Sequence, residues 1–163
     1  MFVAVDTNVV LLLAAEDADT IDAWDIIRRR IQTAQFLVPP TVFLELVFKS
    51  RQGEDNIQQT ARKALLGFTT RWHLRPSVLN DLHQQIAQRA ADRLRERGLL
   101  PWEERHDALV LAEAGVLDCA LLLTDDSHLR DLDFLRMSIL FRELDVTAPV
   151  LATPAEVARR FYD

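Results

Sequence analysis

The chain has 163 residues, of which 49% are hydrophobic and 27% are charged. This balance excludes an intrinsically disordered chain and predicts one folded domain over residues 1–163. The net charge of −6 at pH 7 argues against a surface that binds nucleic acid by charge alone. That objection weakens if several of the acids surround a bound cation, which reverses the local field.

No targeting feature is visible in the sequence. The longest apolar runs, such as Val9–Ala15 and Ala120–Leu123, are too short to span a bilayer. The first residues enter a strand-like run without a basic leader. Cys119 is the only cysteine, so the chain cannot form an internal disulfide. These features predict a cytoplasmic protein with no membrane partner.

Apolar periodicity predicts strands that alternate with helices along the chain. In chain order we expect a strand at 2–6, helices at 7–15 and 20–34, a strand at 36–38, helices at 41–51 and 55–70, an extended piece at 73–74, helices at 77–97 and 104–115, a strand at 118–124, a short helix at 126–134, a strand at 150–151 and a helix from Pro154. Residues 135–148 show no decisive pattern. Such alternation is typical of an α/β domain with a mostly parallel sheet and helices on both faces.

Capping residues predict where these helices begin and end. The expected N-caps are Thr7 or Asn8, Thr41, Ser77 and Thr153. Gly98 and Gly115 are expected to end helices, because glycine readily adopts the left-handed conformation that follows a helix.

Basic residues occur in small groups despite the negative net charge. The groups are Arg28-Arg29-Arg30, Lys49 with Arg51, Arg62-Lys63, Arg71 with Arg75, and Arg159-Arg160. We interpret most of them as solvated helix faces.

Several acids stand where burial would make an unpaired carboxylate expensive. Asp6 ends the first strand, Glu45 lies in the apolar run from Val42 to Phe48, and Asp107 precedes an apolar helical turn. Asp125 and Asp126 follow the apolar strand near residue 120. A divalent cation removes the cost of clustered carboxylates and prefers oxygen ligands. Because the carboxyl ends of parallel strands meet at one edge of a sheet, we expect these acids to converge.

Each acid also has a purely structural interpretation. Asp6, Asp125 and Asp126 are good helix caps, and Asp107 suits the first turn of a helix. Glu45 would instead need a partner, of which an arginine is the main alternative to a metal. The joint pattern carries more weight than any single acid.

The ordered set of motifs resembles the PIN-domain nuclease family over nearly the whole chain. The matching elements are Val5-Asp6-Thr7-Asn8, Glu45 in its apolar helix, His106-Asp107-Ala108-Leu109, Leu123-Thr124-Asp125-Asp126, and Thr153-Pro154-Ala155-Glu156. The resemblance implies a helix-rich, Rossmann-like three-layer α/β/α sandwich and divalent-metal-dependent hydrolysis of RNA. Small members resemble VapC-type toxins of bacterial toxin–antitoxin pairs, which implies a homodimer and a small antitoxin partner. Apolar residues on short helices, such as Val9 to Leu13, also favour a dimer.

The resemblance further implies roles for individual residues. Mg²⁺ or Mn²⁺ would be held by Asp6, Glu45, Asp107 and Asp126. Asn8, Thr124 and Asp125 would lie next to these ligands without contacting the metal, and Asn8 and Thr124 would orient them by hydrogen bonds. The family pattern of threonine, any residue, then an acid favours Asp126 over Asp125 as the late ligand, and strand alternation agrees. Two features depart from the family: the segment 54–105 is long, and Ser127-His128 stands where many members carry a further acid.

Three other functions remain open at this stage. A haloacid-dehalogenase-like phosphatase also begins with a strand and an aspartate, but it needs a second aspartate where this chain has Asn8. An all-helical metal phosphohydrolase would use a His-Asp pair such as His106-Asp107, with His73 and His83 upstream, but the strand-like segments disfavour that fold. A catalytically inactive PIN-like binding module is the third alternative.

Overall fold

A five-stranded parallel sheet forms the centre of this computed structural model, which describes residues 1–52 and 54–161. The strands are β1 (Phe2–Val5), β2 (Gln35–Val38), β3 (Leu74–Pro76), β4 (Cys119–Leu123) and β5 (Val150–Ala152). The helices are α1 (Thr7–Ala14), α2 (Ala18–Arg30), α3 (Pro40–Gln52), α4 (Asp55–Gly67), α5 (Asp81–Glu96), α6 (Arg105–Val116), α7 (Ser127–Arg130), α8 (Phe134–Glu143) and α9 (Pro154–Arg159).

The strand order is β3-β2-β1-β4-β5, and every neighbouring pair is parallel. The chain moves outward from β1 to β3 and then crosses back to β4 on the other side of β1. This reversal leaves a crevice beyond the carboxyl ends of β1 and β4, which is where open parallel sheets bind ligands. The edge strands β3 and β5 have only three residues each, and Pro76 ends β3.

The two central strands explain why helices cover both faces of the sheet. Val3, Ala4 and Val5 of β1 are fully buried, as are Leu122 and Leu123 of β4. Consecutive apolar residues point to opposite faces of a sheet, so both faces must be covered. The expected α/β class, a helix-rich Rossmann-like sandwich with a parallel sheet, is confirmed.

The helices pack in groups that bring distant segments together. α2 contacts α9, α5 contacts α6 and α8, and α3 contacts both α4 and α6. The contact between α3 and α6 matters most for the site, because one helix carries Glu45 and the other Asp107. Within the described residues, no helix is both long and apolar enough to cross a membrane.

Two predicted helix ends are confirmed. Thr153 caps α9 and shares a reciprocal capping box with Glu156. Gly98, with φ +65°, follows the end of α5.

The other N-caps were wrong. Asp6 caps α1 in place of Thr7 or Asn8, and Asn80 caps α5 in place of Ser77, whose hydroxyl donates to the Val38 carbonyl at 2.8 Å. α3 begins at Pro40, and the Thr41 amide donates to a carboxylate of another helix, Glu113. A side chain distant in sequence therefore accepts a hydrogen bond at the start of this helix, as a local N-cap residue was expected to do.

The expected helix end at Gly115 was also wrong, since α6 continues to Val116. A Cβ at Gly115 would lie 2.6 Å from the Thr147 carbonyl oxygen and 2.9 Å from the Phe141 ring. Glycine is present here because the following segment packs directly on the helix backbone. The undecided stretch 135–148 contains most of α8.

Most apolar residues of α1 are buried, but Leu11 and Leu12 are only half-buried. Val9, Val10 and Leu13 are fully buried against the core. The apolar surface expected from Val9 to Leu13 is therefore limited to Leu11 and Leu12, and the dimer stays a prediction. Leu44 and Phe48 of α3 are instead exposed, by 66% and 59%.

Candidate metal centre

The candidate site lies beyond the carboxyl ends of β1 and β4. Val5 pairs with Leu123 in register, and the Asp6 amide donates to the Leu123 carbonyl at 3.0 Å. Asp6 and Thr124 therefore leave the sheet side by side, as the sequence predicts if these strands are neighbours.

Asp6 is the most deeply buried acid of the site, with 4% of its surface exposed. Its Oδ1 accepts from the Thr7 amide at 2.6 Å, and its Oδ2 accepts from the Thr124 hydroxyl at 2.7 Å. Burial raises the pKa of Asp6 even though these hydrogen bonds lower it. Asp6 is thus both the N-cap of α1 and an acid at the crevice.

Asn8 and Thr124 hold the surrounding groups in place. The Asn8 side-chain amide donates to Asp6 Oδ2 at 3.1 Å, and its oxygen accepts from the Asp125 amide at 3.1 Å. The Thr124 hydroxyl also accepts from the Asp126 amide at 3.0 Å. These two residues connect the end of β1 to the loop after β4.

Asp126 and Asp125 have different surroundings, although they are adjacent. Asp126 is half-buried, caps α7 through the Leu129 amide, and raises the pKa of Asp107 through charge repulsion. Asp125 is exposed and is tied to Asn8 only through its main-chain amide. Asp126 therefore caps the following helix, whereas Asp125 faces solvent and does not cap it.

Asp107 stands in the first turn of α6 and faces several other acids. Burial, followed by repulsion from Asp126 and Asp6, raises the pKa of Asp107 to about 7. Uncompensated negative charge therefore accumulates around this carboxyl. A cation placed among these acids would relieve it.

Glu45 lies on α3 and is already paired with donors. The Thr7 hydroxyl donates to Oε2, and Lys49 Nζ lies 3.3 Å from Oε1. His106 Nε2 lies 2.6 Å from Oε2. Burial raises the pKa of Glu45. The opposing effect of His106, Thr7 and Lys49 is larger and lowers this pKa to about 2. A lysine and a histidine thus take the place of the arginine considered as its partner.

Two further candidate ligands, Glu104 and His128, were missed by the sequence analysis. Among residues 1–52 and 54–161, one group of three His, Cys, Asp or Glu side chains has its ligand atoms within 4.8 Å of one another. The group consists of Glu104, Asp107 and His128. His128 Nδ1 lies 3.4 Å from Glu104 Oε1 and 3.9 Å from Asp126 Oδ1. Glu104 stands three residues before Asp107 at the start of α6, a spacing that signals one helix face.

The structure therefore brings the predicted residues to one edge of the sheet, but they do not all interact with one another. Asp6, Asp107 and Asp126 interact electrostatically as one acidic group. Glu45 borders this group but is bonded to Thr7, Lys49 and His106. Such a group has the oxygen donors that Mg²⁺ or Mn²⁺ requires, with one imidazole nitrogen beside them.

This fold is shared with a solved structure. A chain in the crystal structure of VapBC2 from Rickettsia felis, bound to a DNA fragment from their promoter, superposes with a TM-score of 0.63. The alignment covers 94% of this chain and 98% of that chain at 15% sequence identity. No protein-family model and no curated protein matches the sequence. At this identity the likeness establishes the fold alone.

The alternative functions fit the geometry less well. The parallel sheet excludes an all-helical phosphohydrolase, and His73 lines a cavity at the opposite edge of the sheet, away from His106. The position at which a haloacid-dehalogenase-like phosphatase needs an acid holds Asn8, whose amide is bonded to Asp6.

Proposed function

We propose that the protein is a divalent-metal-dependent endoribonuclease that hydrolyses RNA phosphodiester bonds. The observation that carries the proposal is the group formed by Asp6, Asp107 and Asp126 at the crevice between β1 and β4, where burial and mutual repulsion raise the pKa of Asp107 to about 7. The motif resemblance to PIN-domain nucleases and the fold shared with the VapBC2 chain support the same activity.

Asp6, Glu45, Asp107 and Asp126 would hold Mg²⁺ or Mn²⁺, and Glu104 and His128 extend the set of donors. The metal, when bound, supplies a Lewis acid and lowers the pKa of a coordinated water. The imidazole of His128 favours Mn²⁺ over Mg²⁺, since Mg²⁺ prefers oxygen ligands alone.

The surrounding side chains orient the acids. Thr124 donates to Asp6 and accepts from the Asp126 amide, so one hydroxyl fixes the spacing between two proposed ligands. Asn8 restrains Asp6 from the other side and fixes the backbone at Asp125. Lys49 and His106 place positive charge beside Glu45, where it can attract a phosphate group.

We further propose that the protein is the toxin of a type II toxin–antitoxin pair, a homodimer that binds a small antitoxin. This rests on the resemblance to VapC-type toxins and on the fold shared with a chain of the VapBC2 structure. Co-expression with the protein encoded by a small neighbouring reading frame, followed by co-purification, tests the partner.

The activity is tested on purified protein with single-stranded and structured RNA. We expect cleavage with Mg²⁺ or Mn²⁺ and none with EDTA. Asp126→Asn removes a charge next to Asp107 and is expected to abolish nearly all cleavage. Asp125→Asn is the matched control, because its exposed carboxyl lies outside the acid group, and we expect a modest effect at most.

Other results would redirect the assignment. Equal loss in both variants would mean that both carboxylates serve the metal, and the reverse ranking would move the ligand to Asp125. Phosphate released from small phosphomonoesters without RNA cleavage would indicate a phosphatase. RNA binding without any cleavage would indicate an inactive binding module.

A further inference from the structure

The turn before α6 places a tryptophan next to the candidate metal centre. The Glu104 amide donates to the Pro101 carbonyl at 3.1 Å, which closes a tight turn that contains Trp102. Glu104 follows the turn, and its Oε1 lies 3.4 Å from His128 Nδ1 among the candidate metal ligands. At about 3.8 Å between consecutive Cα atoms, the Cα atoms of Trp102 and Glu104 lie at most about 8 Å apart.

The side chain of Trp102 is accessible to an unusual degree. Its exposed fraction is 59%, whereas Trp24 and Trp72, the other two tryptophans, are 1% and 3% exposed. Tryptophan is highly buried on average, because its large apolar surface is costly to leave in water. Packing in the core therefore does not account for this side chain.

A buried arginine fixes the orientation of the Trp102 ring. The guanidinium carbon of Arg95 lies 4.6 Å from the ring centroid, so a cation covers one face of the indole. Arg95 is only 6% exposed. Its Nη1 donates to the Trp102 carbonyl at 3.2 Å, and its Nη2 donates to Asp92. Because these bonds hold Arg95 in place, the ring is held as well, and its exposed surface includes the opposite face.

An ordered and exposed aromatic face is suited to binding an unpaired nucleobase. Every nucleobase has a flat π-face, so stacking on an aromatic side chain tolerates any base. Bases inside a duplex already stack on one another, whereas those of single strands and loops can leave the stack. An RNA strand with one phosphate at the acids would bring a neighbouring base close to Trp102, which is two residues from Glu104. This position beside the acids favours RNA over a protein partner as the occupant.

We propose that Trp102 stacks on one nucleobase of the RNA substrate, next to the phosphate that is cleaved, and that the substrate is single-stranded at this point. The inference rests on the proposed nuclease function and adds a substrate class and a binding residue to it.

Tryptophan fluorescence tests the contact. Asp126→Asn is used with Mg²⁺, so that a short single-stranded RNA binds without being cut. We expect this RNA to quench the emission and duplex RNA of the same sequence to quench it much less. In the Trp102→Phe variant of that chain the quenching is expected to disappear, since Trp24 and Trp72 are buried. Quenching that persists in Trp102→Phe, equal quenching by duplex RNA, or no quenching at all would overturn the proposal.

Variants of the ring measure its contribution to RNA affinity. In the same Asp126→Asn chain, Trp102→Leu keeps an apolar side chain over Arg95 but has no π-face. We expect it to weaken binding of single-stranded RNA at least about fivefold, and Trp102→Phe to weaken it less. Phe2→Ala removes an exposed aromatic ring at the opposite edge of the sheet and is expected to leave the affinity unchanged. An unchanged affinity in Trp102→Leu, or an equal loss in the control, would refute the stacking role.

Abasic RNA identifies the base that stacks. Removal of one base at a time is expected to weaken binding most at a single position, and that loss is expected to disappear in Trp102→Leu, because both changes remove the same contact. Additive losses would mean that the base and the ring do not touch, and would overturn the assignment.

These measurements read RNA binding and so are separate from the test of cleavage. Stacking in a wild-type protein that does not cleave RNA would remove the nuclease proposal and leave Trp102 as an RNA-binding residue. RNA cleavage with no effect of Trp102→Leu on RNA affinity would do the reverse. If Trp102→Leu keeps its RNA affinity but no longer co-purifies with a protein partner, the ring belongs to a protein interface and this inference is wrong.

Discussion

At the scale of single residues, burial and neighbouring acids together raise the pKa of Asp107. Its pKa rises from 3.8 to about 7 through burial and repulsion from Asp126 and Asp6. Between about pH 4 and pH 7 the folded chain therefore retains a proton that the unfolded chain has lost. By linkage, this group lowers the free energy of unfolding as the pH rises through that window.

We predict that Asp107→Asn stabilises the metal-free protein above about pH 7 and abolishes cleavage. The gain is expected to be about 1–2 kcal/mol, discounted for solvent screening at a half-buried group. Thermal unfolding in EDTA from pH 4 to pH 8 measures it, and the difference from the wild type is expected to grow with pH. Asp125→Asn is expected to show no such trend, and a pH-independent difference for Asp107→Asn would contradict the assignment.

Metal binding is expected to follow the same ionisation. Because a bound cation must displace the Asp107 proton, we predict that Mn²⁺ affinity rises with pH up to about 7 and levels off above it. Calorimetry in buffers of different ionisation enthalpy measures the proton released. Affinity that stays constant from pH 6 to pH 8 would show that Asp107 is not a ligand.

Asp6 is expected to behave differently from Asp107, because it also caps a helix. We predict that Asp6→Ala lowers the free energy of unfolding of metal-free protein by about 1–2 kcal/mol, since the Thr7 amide and Thr124 hydroxyl lose their acceptor. Asp6→Asn keeps one acceptor oxygen and is the milder variant. Urea unfolding measures both. A stabilised Asp6→Ala would show that relief of repulsion outweighs the cap.

At the scale of helices, α3 and α6 are joined by one buried carboxylate. Glu113 Oε2 accepts from the Thr41 amide at 2.9 Å, and Oε1 accepts from the Thr41 hydroxyl at 2.7 Å. This connection fixes the helix of Glu45 against the helix of Asp107. It therefore sets the distance between two of the proposed ligands.

We predict that Glu113→Ala destabilises the protein by about 2–3 kcal/mol, because it leaves buried donors without acceptors. Glu113→Gln is the matched control: its oxygen can accept from the Thr41 amide, and its NH₂ can donate to the hydroxyl. It is expected to lie within about 1 kcal/mol of the wild type in urea unfolding. An equal loss of unfolding free energy in the two variants would mean that the charge of Glu113, and not its hydrogen bonds to Thr41, holds the two helices together.

The helix ends show what local sequence can and cannot predict. Thr153 and Gly98 act through neighbours a few residues away, so their roles follow from the sequence. Thr41 and Gly115 depend on Glu113 and Thr147, which are brought near by folding. The strands were predictable from buried apolar runs, since both faces of a central parallel strand are covered.

The same distinction applies to the candidate site. Acids at strand ends were predictable, because parallel strands bring them to one edge. Of the partners of Glu45, Lys49 follows from its i,i+4 spacing, whereas His106 and Thr7 do not, since they come from other elements. Glu104 and His128 lie close to Asp107 and Asp126 in sequence, so spacing alone would have identified them as candidates.

At the scale of the whole molecule, an apolar pair on α3 offers a surface for self-association. Leu44 and Phe48 are one helical turn apart and exposed by 66% and 59%. We predict a dimer by light scattering at micromolar concentration and a monomer for the Leu44→Gln/Phe48→Gln double variant. Leu66→Gln, exposed by 82% on α4, is the control and is expected to stay dimeric. A monomeric wild type would count against the dimer itself.

The three-residue edges of the sheet bear on how the protein fails when it is stressed. β3 ends in Pro76, which has no amide hydrogen to offer, and β5 exposes only a short row of backbone groups. Native molecules therefore have little edge onto which another strand can add. The aggregation-prone segments are the apolar strands β1 and β4 at the centre of the sheet. They become accessible only when the sheet unfolds. Aggregation on heating is thus expected to follow global unfolding, with no growth of aggregates from the native state below the melting transition.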